Sequence, residues 1–142
     1  MIQYYKTVEG QLLEQSCASP GVWIHLNRPT KEEIEEICAQ TGVLVDLLTA
    51  ALDEEEAARI EREDDQTLVL VDIPVVEPEG TSFVYNTLPL GIVLLDNMVI
   101  TVCLEDTTII EDFMENRVRG FDTCKKTRFV LQLLYRTSTK FL

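Results

Sequence analysis

Ile2 to Thr7 and Gln11 to Glu14 form two short strand-like runs on either side of Glu9-Gly10, where the glycine supplies the positive φ that a tight reversal often requires. Ser19-Pro20-Gly21 breaks the chain. Val22-Trp23-Ile24-His25-Leu26 then alternates bulky residues as a third strand, ended by Asn27-Arg28-Pro29. After Thr30 the period becomes helical. Thr30 and Glu33 have capping-box spacing, in which the Thr hydroxyl and the Glu carboxylate satisfy free amides at a helix start. Ile34, Ile37 and Cys38 share one face, Gly42 marks the stop, and Glu32 and Glu33 occupy the first turn, where the helix dipole favours acids. Val43 to Leu52 is apolar apart from Asp46 and Thr49, which predicts a short, largely buried helix turning Leu44, Leu47, Leu48 and Leu52 to the core.

Asp53 to Asp65 carries eight acids against Arg59 and Arg62, so almost half of the net charge lies in this one segment. Thr67 to Ile73 follows as a near-continuous apolar run, predicted to be a strand covered on both faces and stopped by Pro74, with Glu77-Pro78-Glu79-Gly80 as a loop. Phe83 to Leu95 and Met98 to Leu104 are two further strands joined by Asp96-Asn97, and Pro89 is expected to break pairing locally on the longer one. Thr107 or Thr108 caps a helix running to about Arg119 and closed by Gly120, with Ile109, Ile110, Phe113 and Met114 on its apolar face. Lys125 to Leu142 has helical spacing in Phe129, Val130, Leu133, Leu134 and Phe141, with no stop signal, as expected of a helix cut within a longer one. This order of strands and helices predicts an α+β fold (mixed α/β), a mixed sheet flanked by helices in an αβα sandwich.

Composition narrows the picture. A chain of 142 residues, 46% of them hydrophobic, fits a single domain with a real core, and excludes disorder as the main state. Its net charge of −13 opposes binding to phosphate backbones, so no nucleic-acid partner is expected. The charge is also divided: the last eighteen residues carry five cations and no acid, leaving −18 for the rest. Cations or basic surfaces are the natural partners of such a field. The start Met1-Ile2-Gln3-Tyr4-Tyr5-Lys6 has no secretory-signal pattern, and the longest apolar run, Leu88 to Leu95, is far below the roughly 20 residues that span a bilayer. The fragment is therefore expected to be a soluble, cytosolic-type chain.

Candidate chemistry is sparse. Cys17, Cys38, Cys103 and Cys124 lack zinc-ligand spacing and are expected to be free thiols. His25, the one histidine, is either a half-buried strand residue satisfied by backbone or water, or one half of a Cys103–His25 pair. No phosphate-cradling glycine loop is present. The carboxylates of Asp53 to Asp65 suit Mg²⁺ or Ca²⁺ as hard oxygen ligands, but without EF-hand spacing, and a solvated helix end followed by an exposed strand explains them equally well. No catalytic, cofactor-binding or metal-ligating residue is assigned, and no enzymatic activity is expected.

Several segments, in their order and spacing, resemble the N-terminal cytoplasmic domain of CorA-like divalent-cation transporters, especially those of Gram-positive bacteria. They are Trp23-Ile24-His25-Leu26 with Pro29-Thr30-Lys31-Glu32-Glu33-Ile34, then Ala51-Leu52-Asp53-Glu54-Glu55-Glu56 with Arg59-Ile60-Glu61, and Thr67-Leu68-Val69-Leu70-Val71-Asp72-Ile73-Pro74. Tyr85-Asn86-Thr87-Leu88-Pro89-Leu90-Gly91-Ile92, Asn97-Met98-Val99-Ile100-Thr101-Val102-Cys103 and Lys125-Lys126-Thr127-Arg128-Phe129 continue the series, so that the resemblance covers nearly the whole chain.

The resemblance implies a family whose members join this α/β domain to a long stalk helix and two C-terminal transmembrane helices, near a Gly-Met-Asn signature, in a pentameric pore. It implies that residues 1–142 are a fragment whose last helix, 125–142, leads towards a stalk, and whose parent is an integral membrane protein with this domain on the cytoplasmic face. In family members gated by magnesium, a Glu-Asp pair on the short helix before the acidic stretch supplies half of an intersubunit cation site. Thr49-Ala50 stand at those positions, so that site is not carried over; Asp46 or Asp53 would have to substitute from an adjacent turn. The expected function is that of a regulatory and assembly domain of a divalent-cation transporter, with Mg²⁺ first. No cofactor is required, binding of Mg²⁺ or another divalent cation is weak, and the isolated fragment is a monomer or weak oligomer. A zinc-exporting relative of the same fold, and a stand-alone acidic interaction domain, are the alternatives.

Overall fold

The computed structural model describes residues 1–80 and 82–140 and arranges its strands in a seven-stranded mixed sheet. β1 (Ile2–Val8) and β2 (Gln11–Gln15) form an antiparallel hairpin across Glu9 (φ 50°) and Gly10 (φ 80°), the paired left-handed residues that match the twist of a two-residue turn. β3 (Val22–Asn27) lies between β1 and β7 (Val99–Cys103), antiparallel to the first and parallel to the second. β6 (Ser82–Leu94), β5 (Gln66–Glu79) and β4 (Arg59–Glu63) continue outwards, all antiparallel, giving the order β2-β1-β3-β7-β6-β5-β4.

Between β3 and β4 lie α1 (Lys31–Thr41), α2 (Val45–Thr49) and a 3₁₀ turn, Ala50–Leu52. The capping box is present: the Thr30 hydroxyl accepts from the Glu33 amide at 3.1 Å, and the Glu33 carboxylate accepts from the Thr30 amide at 2.9 Å. The same carboxylate meets the N-terminal ammonium at 3.0 Å, and these bonds hold its pKa below the usual carboxylate range. Gly42 ends α1 in the left-handed region at φ 76°.

Strand alternation sends successive side chains to opposite faces. On one face Ile24, Leu26, Ile100 and Leu68 pack against Ile37, Leu47 and Leu48 of α1 and α2. On the other, Trp23, Val99 and Ile92 pack against α3 (Thr108–Met114) and α4 (Lys126–Lys140) through Ile109, Phe113, Phe129 and Leu133. The sheet is thus the middle layer of the expected αβα sandwich. Burying each such side chain contributes about 1.5–3 kcal/mol. Trp23, wholly buried, has Phe113, Phe121 and Phe129 edge-on at centroid distances of 6.5, 5.7 and 5.1 Å, tying α3, α4 and the loop between them to the sheet. The 3₁₀ turn approaches β6 closely because Gly91 has no side chain there: a Cβ would lie 2.9 Å from that of Ala51.

Four expectations need correction. β5 does not stop at Pro74 but continues to Glu79, where a loop was expected, and Pro89 does not interrupt β6 but pairs with Asp72. β4 borders β5 only up to Leu70, and β7 borders β6 only from Leu90, so both prolines lie where, among the described residues, the β5–β6 hairpin runs on as a two-stranded arm with no further strand paired to it. An edge position tolerates a residue with no N–H to donate. α3 ends at Met114 rather than near Arg119, because Asn116 already takes the left-handed conformation, φ 56°. His25 is buried, not half-buried. On α4, Phe129, Val130 and Leu133 are buried as expected and Leu134 is half-buried; Phe141 and Leu142 lie outside the described residues. Among the described residues, no helix is long and apolar enough to cross a membrane.

Candidate functional site

The parallel register of β3 and β7 sets His25 opposite Thr101, and the structure brings His25 and Cys103 together. The Trp23 indole N–H donates to Thr101 Oγ1 at 2.8 Å, and Oγ1 lies 2.6 Å from His25 Nδ1. The arrangement that satisfies every donor has the Thr101 hydroxyl donating to Nδ1 and the imidazole proton on Nε2, which faces Cys103 Sγ at 3.6 Å. Burial drives the His25 pKa down to about 3, with the positive chain terminus adding to the effect. Burial likewise pushes the Cys103 thiol up to about 12, reinforced by the charge of Asp106. A nucleophilic pair needs a thiolate beside a titrating imidazole. Here a neutral imidazole faces a protonated thiol inside the core, so the four side chains form a satisfied polar seam rather than a reactive pair.

The acidic segment divides into an exposed loop and the edge strand β4. Arg59 bonds Glu56 at 2.7 Å and Glu61 at 3.3 Å, and Arg62 reaches Asp65 at 3.5 Å. Asp64 (φ 49°) and Asp65 (φ 63°) form the two-residue turn into β5. Ile60 projects from β4 into solvent, 76% exposed. No group of three His, Cys, Asp or Glu residues converges to hold a metal ion among the described residues. Near the expected regulatory position, the Thr49 hydroxyl bonds back to the Val45 carbonyl at 3.2 Å, Ala50 is buried, and Asp53 caps the Glu55 amide at 2.9 Å. Asp46 and Asp53 are exposed.

At the carboxyl ends of β3 and β7, whose helices leave to opposite faces, lies a shallow cavity of about 370 Å³. Such crevices often hold ligands in α/β sheets. Here the polar groups serve one another: the Asn27 amide donates to the Asp106 carboxylate, and Arg28 donates to the Leu104 carbonyl at 3.2 Å.

A groove of about 600 Å³ runs along the outer face of α4. Leu131 and Tyr135 stand 61% and 71% exposed within it, with Val118, Arg119, Arg128 and Gln132 beside them. Among the described residues, no carboxylate lines it. Three cations of α4 are used within the chain: Lys126 donates to the Leu95 and Asp96 carbonyls at 2.7 and 2.6 Å, Arg128 donates to the Gly120 carbonyl at 3.3 Å, and Arg136 pairs with Asp112 at 3.1 Å. Neither this groove nor Thr101 is marked as functional by any local motif in the sequence. Leu131 and Tyr135 were nevertheless visible as apolar residues off the buried face of the helix, whereas Thr101 carried no local signal.

A family model described as "CorA-like Mg2+ transporter protein" matches residues 19–142. The cobalt/magnesium transport protein CorA of Methanocaldococcus jannaschii is 28% identical over 111 residues, 78% of this chain and 32% of that protein. The solved soluble domain of CorA from the same organism superposes with a TM-score of 0.76 at 22% identity, over 99% of this chain and 58% of that one. The ZntB cytoplasmic domain from Vibrio parahaemolyticus superposes at 0.73 with 13% identity, over 97% of this chain and 57% of that one. The chain thus spans about a third of the length of the curated relative and under three fifths of each solved domain.

Proposed function

The chain belongs to the CorA-like Mg²⁺ transporter protein family, and from that premise we propose that residues 1–142 form one domain, the cytoplasmic regulatory and assembly domain of a divalent-cation transport protein. The observation that carries this reading is the family match over residues 19–142 on a fold shared with the CorA soluble domain. Mg²⁺ is the first substrate to test. Nothing in the domain conducts ions or performs catalysis; conduction belongs to membrane-spanning parts of a parent protein. The copies assemble as a homo-oligomer, a pentamer by the family resemblance, with this domain on the cytoplasmic face.

In this reading, regulation is electrostatic and diffuse. Thr49 and Ala50 offer no carboxylate, while the loop and edge strand from Asp53 to Asp65 hold eight acids facing solvent. Divalent cations near that surface screen repulsion between neighbouring copies and favour a closed arrangement; their loss lets the copies separate. Mg²⁺ keeps its waters readily, so such binding needs no chelating cluster.

A zinc-exporting relative is the second reading, supported by the similarity of fold to the ZntB cytoplasmic domain. The coding sequence beyond Leu142 tests the proposal. A pair of downstream apolar stretches, each of about 20 residues, is the expected result; a stop codon directly after Leu142 would favour a stand-alone acidic interaction domain instead.

A further inference from the structure

We propose that the Leu95 and Asp96 carbonyls form a primary-ammonium site whose resident ligand is the side chain of Lys126, and that this site is the latch holding the start of α4 on the sheet. The inference goes beyond the transport reading and does not depend on it. β6 pairs with β7 only as far as Leu94, so the next two carbonyls lie past the ladder. The Lys126 ammonium donates to both, at 2.7 and 2.6 Å, although 31 and 30 residues separate it from them in sequence. A compact charge with three N–H donors suits two converging carbonyls. A cavity of about 400 Å³ borders Lys126, Asp96 and Asn97, and leaves room for a small amine once the Lys126 side chain is shortened. Lys6 also lines that cavity and repels a divalent cation, and Mg²⁺ gives up its waters reluctantly.

Local chemistry works against a helix start at this point. Lys125, Lys126 and Arg128 put three cations at the positive end of the helix dipole, and no acid stands in the first turn. Lys125, immediately before α4, has no acceptor with which to cap the free amides. What holds the start is therefore tertiary. Beside the ammonium, Thr7 and Thr123 exchange bonds: the Thr123 hydroxyl accepts from the Thr7 amide at 2.8 Å, and the Thr7 hydroxyl accepts from the Thr123 amide at 3.0 Å. Together these bonds tie the stretch from Thr123 to Lys126 to β1 and to the β6–β7 turn. Of its four residues only Thr123 is buried, whereas Phe129, Val130 and Leu133 hold the body of α4 by apolar burial. A stretch held by polar bonds opens separately from a body held by burial.

Amide hydrogen exchange of the 142-residue chain, followed residue by residue by NMR, tests the latch, with circular dichroism verifying that each variant is folded. The reporters are the Thr7 and Thr123 amides and that of Phe129, which donates to the Lys125 carbonyl at 3.0 Å. Lys126→Ala should speed exchange at all three roughly tenfold or more, the effect of losing a charge-assisted bond, and leave Leu133 unchanged. Methylammonium chloride should restore slow exchange in this variant. Tetramethylammonium chloride at equal concentration, with the same charge and no N–H to donate, should not. Lys126→Met should loosen the same three amides without rescue by methylammonium, because its side chain fills the path of the lysine stem. The proposal is overturned if Lys126→Ala leaves the three amides slow or speeds Leu133 equally, or if methylammonium fails to restore them. Equal rescue by potassium or tetramethylammonium, or rescue of Lys126→Met, overturns it as well. If Lys126→Ala is unfolded in buffer alone, methylammonium and not tetramethylammonium should refold it, and refolding by neither or by both overturns the assignment.

Discussion

His25 and Thr101, 76 residues apart in sequence, face each other across the parallel β3–β7 pair with Nδ1 2.6 Å from Oγ1. That one hydroxyl also receives the indole N–H of Trp23. Replacing Thr101 with valine keeps the shape but leaves both partners buried and unpaired. A buried polar group without a partner costs about 1–3 kcal/mol. Thr101→Val should therefore lower the unfolding free energy by at least that amount, seen as a lower urea midpoint with an unchanged denaturant slope.

The same seam predicts how stability depends on acid. In the folded chain the His25 pKa is lowered to about 3 from an ordinary value of 6.5. Between those two values the unfolded chain binds a proton that the folded chain does not. Stability from this residue is thus complete above about pH 6.5, falls as the pH drops through the window, and is lost by about pH 3. The slope is about 1.4 kcal/mol per pH unit for one proton. Unfolding curves of His25→Gln and the parent between pH 6 and 4 should differ in slope by that amount; parallel curves would contradict the burial of a neutral imidazole.

Thiol chemistry offers an independent check. Cys17 and Cys124 are exposed, Cys38 is half-buried, and Cys103 is buried with its pKa pushed up to about 12. A disulfide reagent at neutral pH should modify Cys17 and Cys124 promptly, whereas Cys103 should react at the rate at which the core opens. Prompt modification of Cys103, followed by peptide mapping, would revive the reactive-pair reading of Cys103 and His25.

The contact between Gly91 and Ala51 can be tested by a double-mutant cycle. Gly91→Ala places a methyl group 2.9 Å from the Ala51 side chain, closer than carbon atoms pack. Overpacking of this kind costs about 1–3 kcal/mol. Adding Ala51→Gly should recover part of the loss, giving a coupling energy of at least about 0.5 kcal/mol, as expected for residues in contact.

What was legible in the sequence is what local chemistry decides. The Thr30–Glu33 capping box, the Gly42 stop and the Glu9-Gly10 turn each depend on residues within four positions of one another, and each is present. The strand expected from Val22 to Leu26 is present, and in it Trp23 and Ile24 lie on opposite faces. Pro74 and Pro89 misled because their tolerance depends on whether a neighbouring strand reaches them, and that is settled by the length of β4 and β7 rather than by anything near the prolines. Gly120 is the stop that composition suggests for α3, but Asn116, also able to adopt the left-handed conformation, comes first. Thr101 was invisible as the partner of His25 because a parallel pairing between distant strands leaves no mark in either segment. The acidic segment was legible as solvated charge, and the α4 groove only as two apolar residues on the wrong side of a helix.

The most direct test of the transport reading is divalent-cation flux through the full-length product of the gene that encodes this chain, reconstituted in liposomes and assayed in turn with Mg²⁺, Co²⁺, Ni²⁺ and Zn²⁺. Saturable flux of at least one of these ions, with Mg²⁺ first, is the expected result. Flux of none of them above that of protein-free liposomes, from a folded and correctly inserted protein, would contradict it.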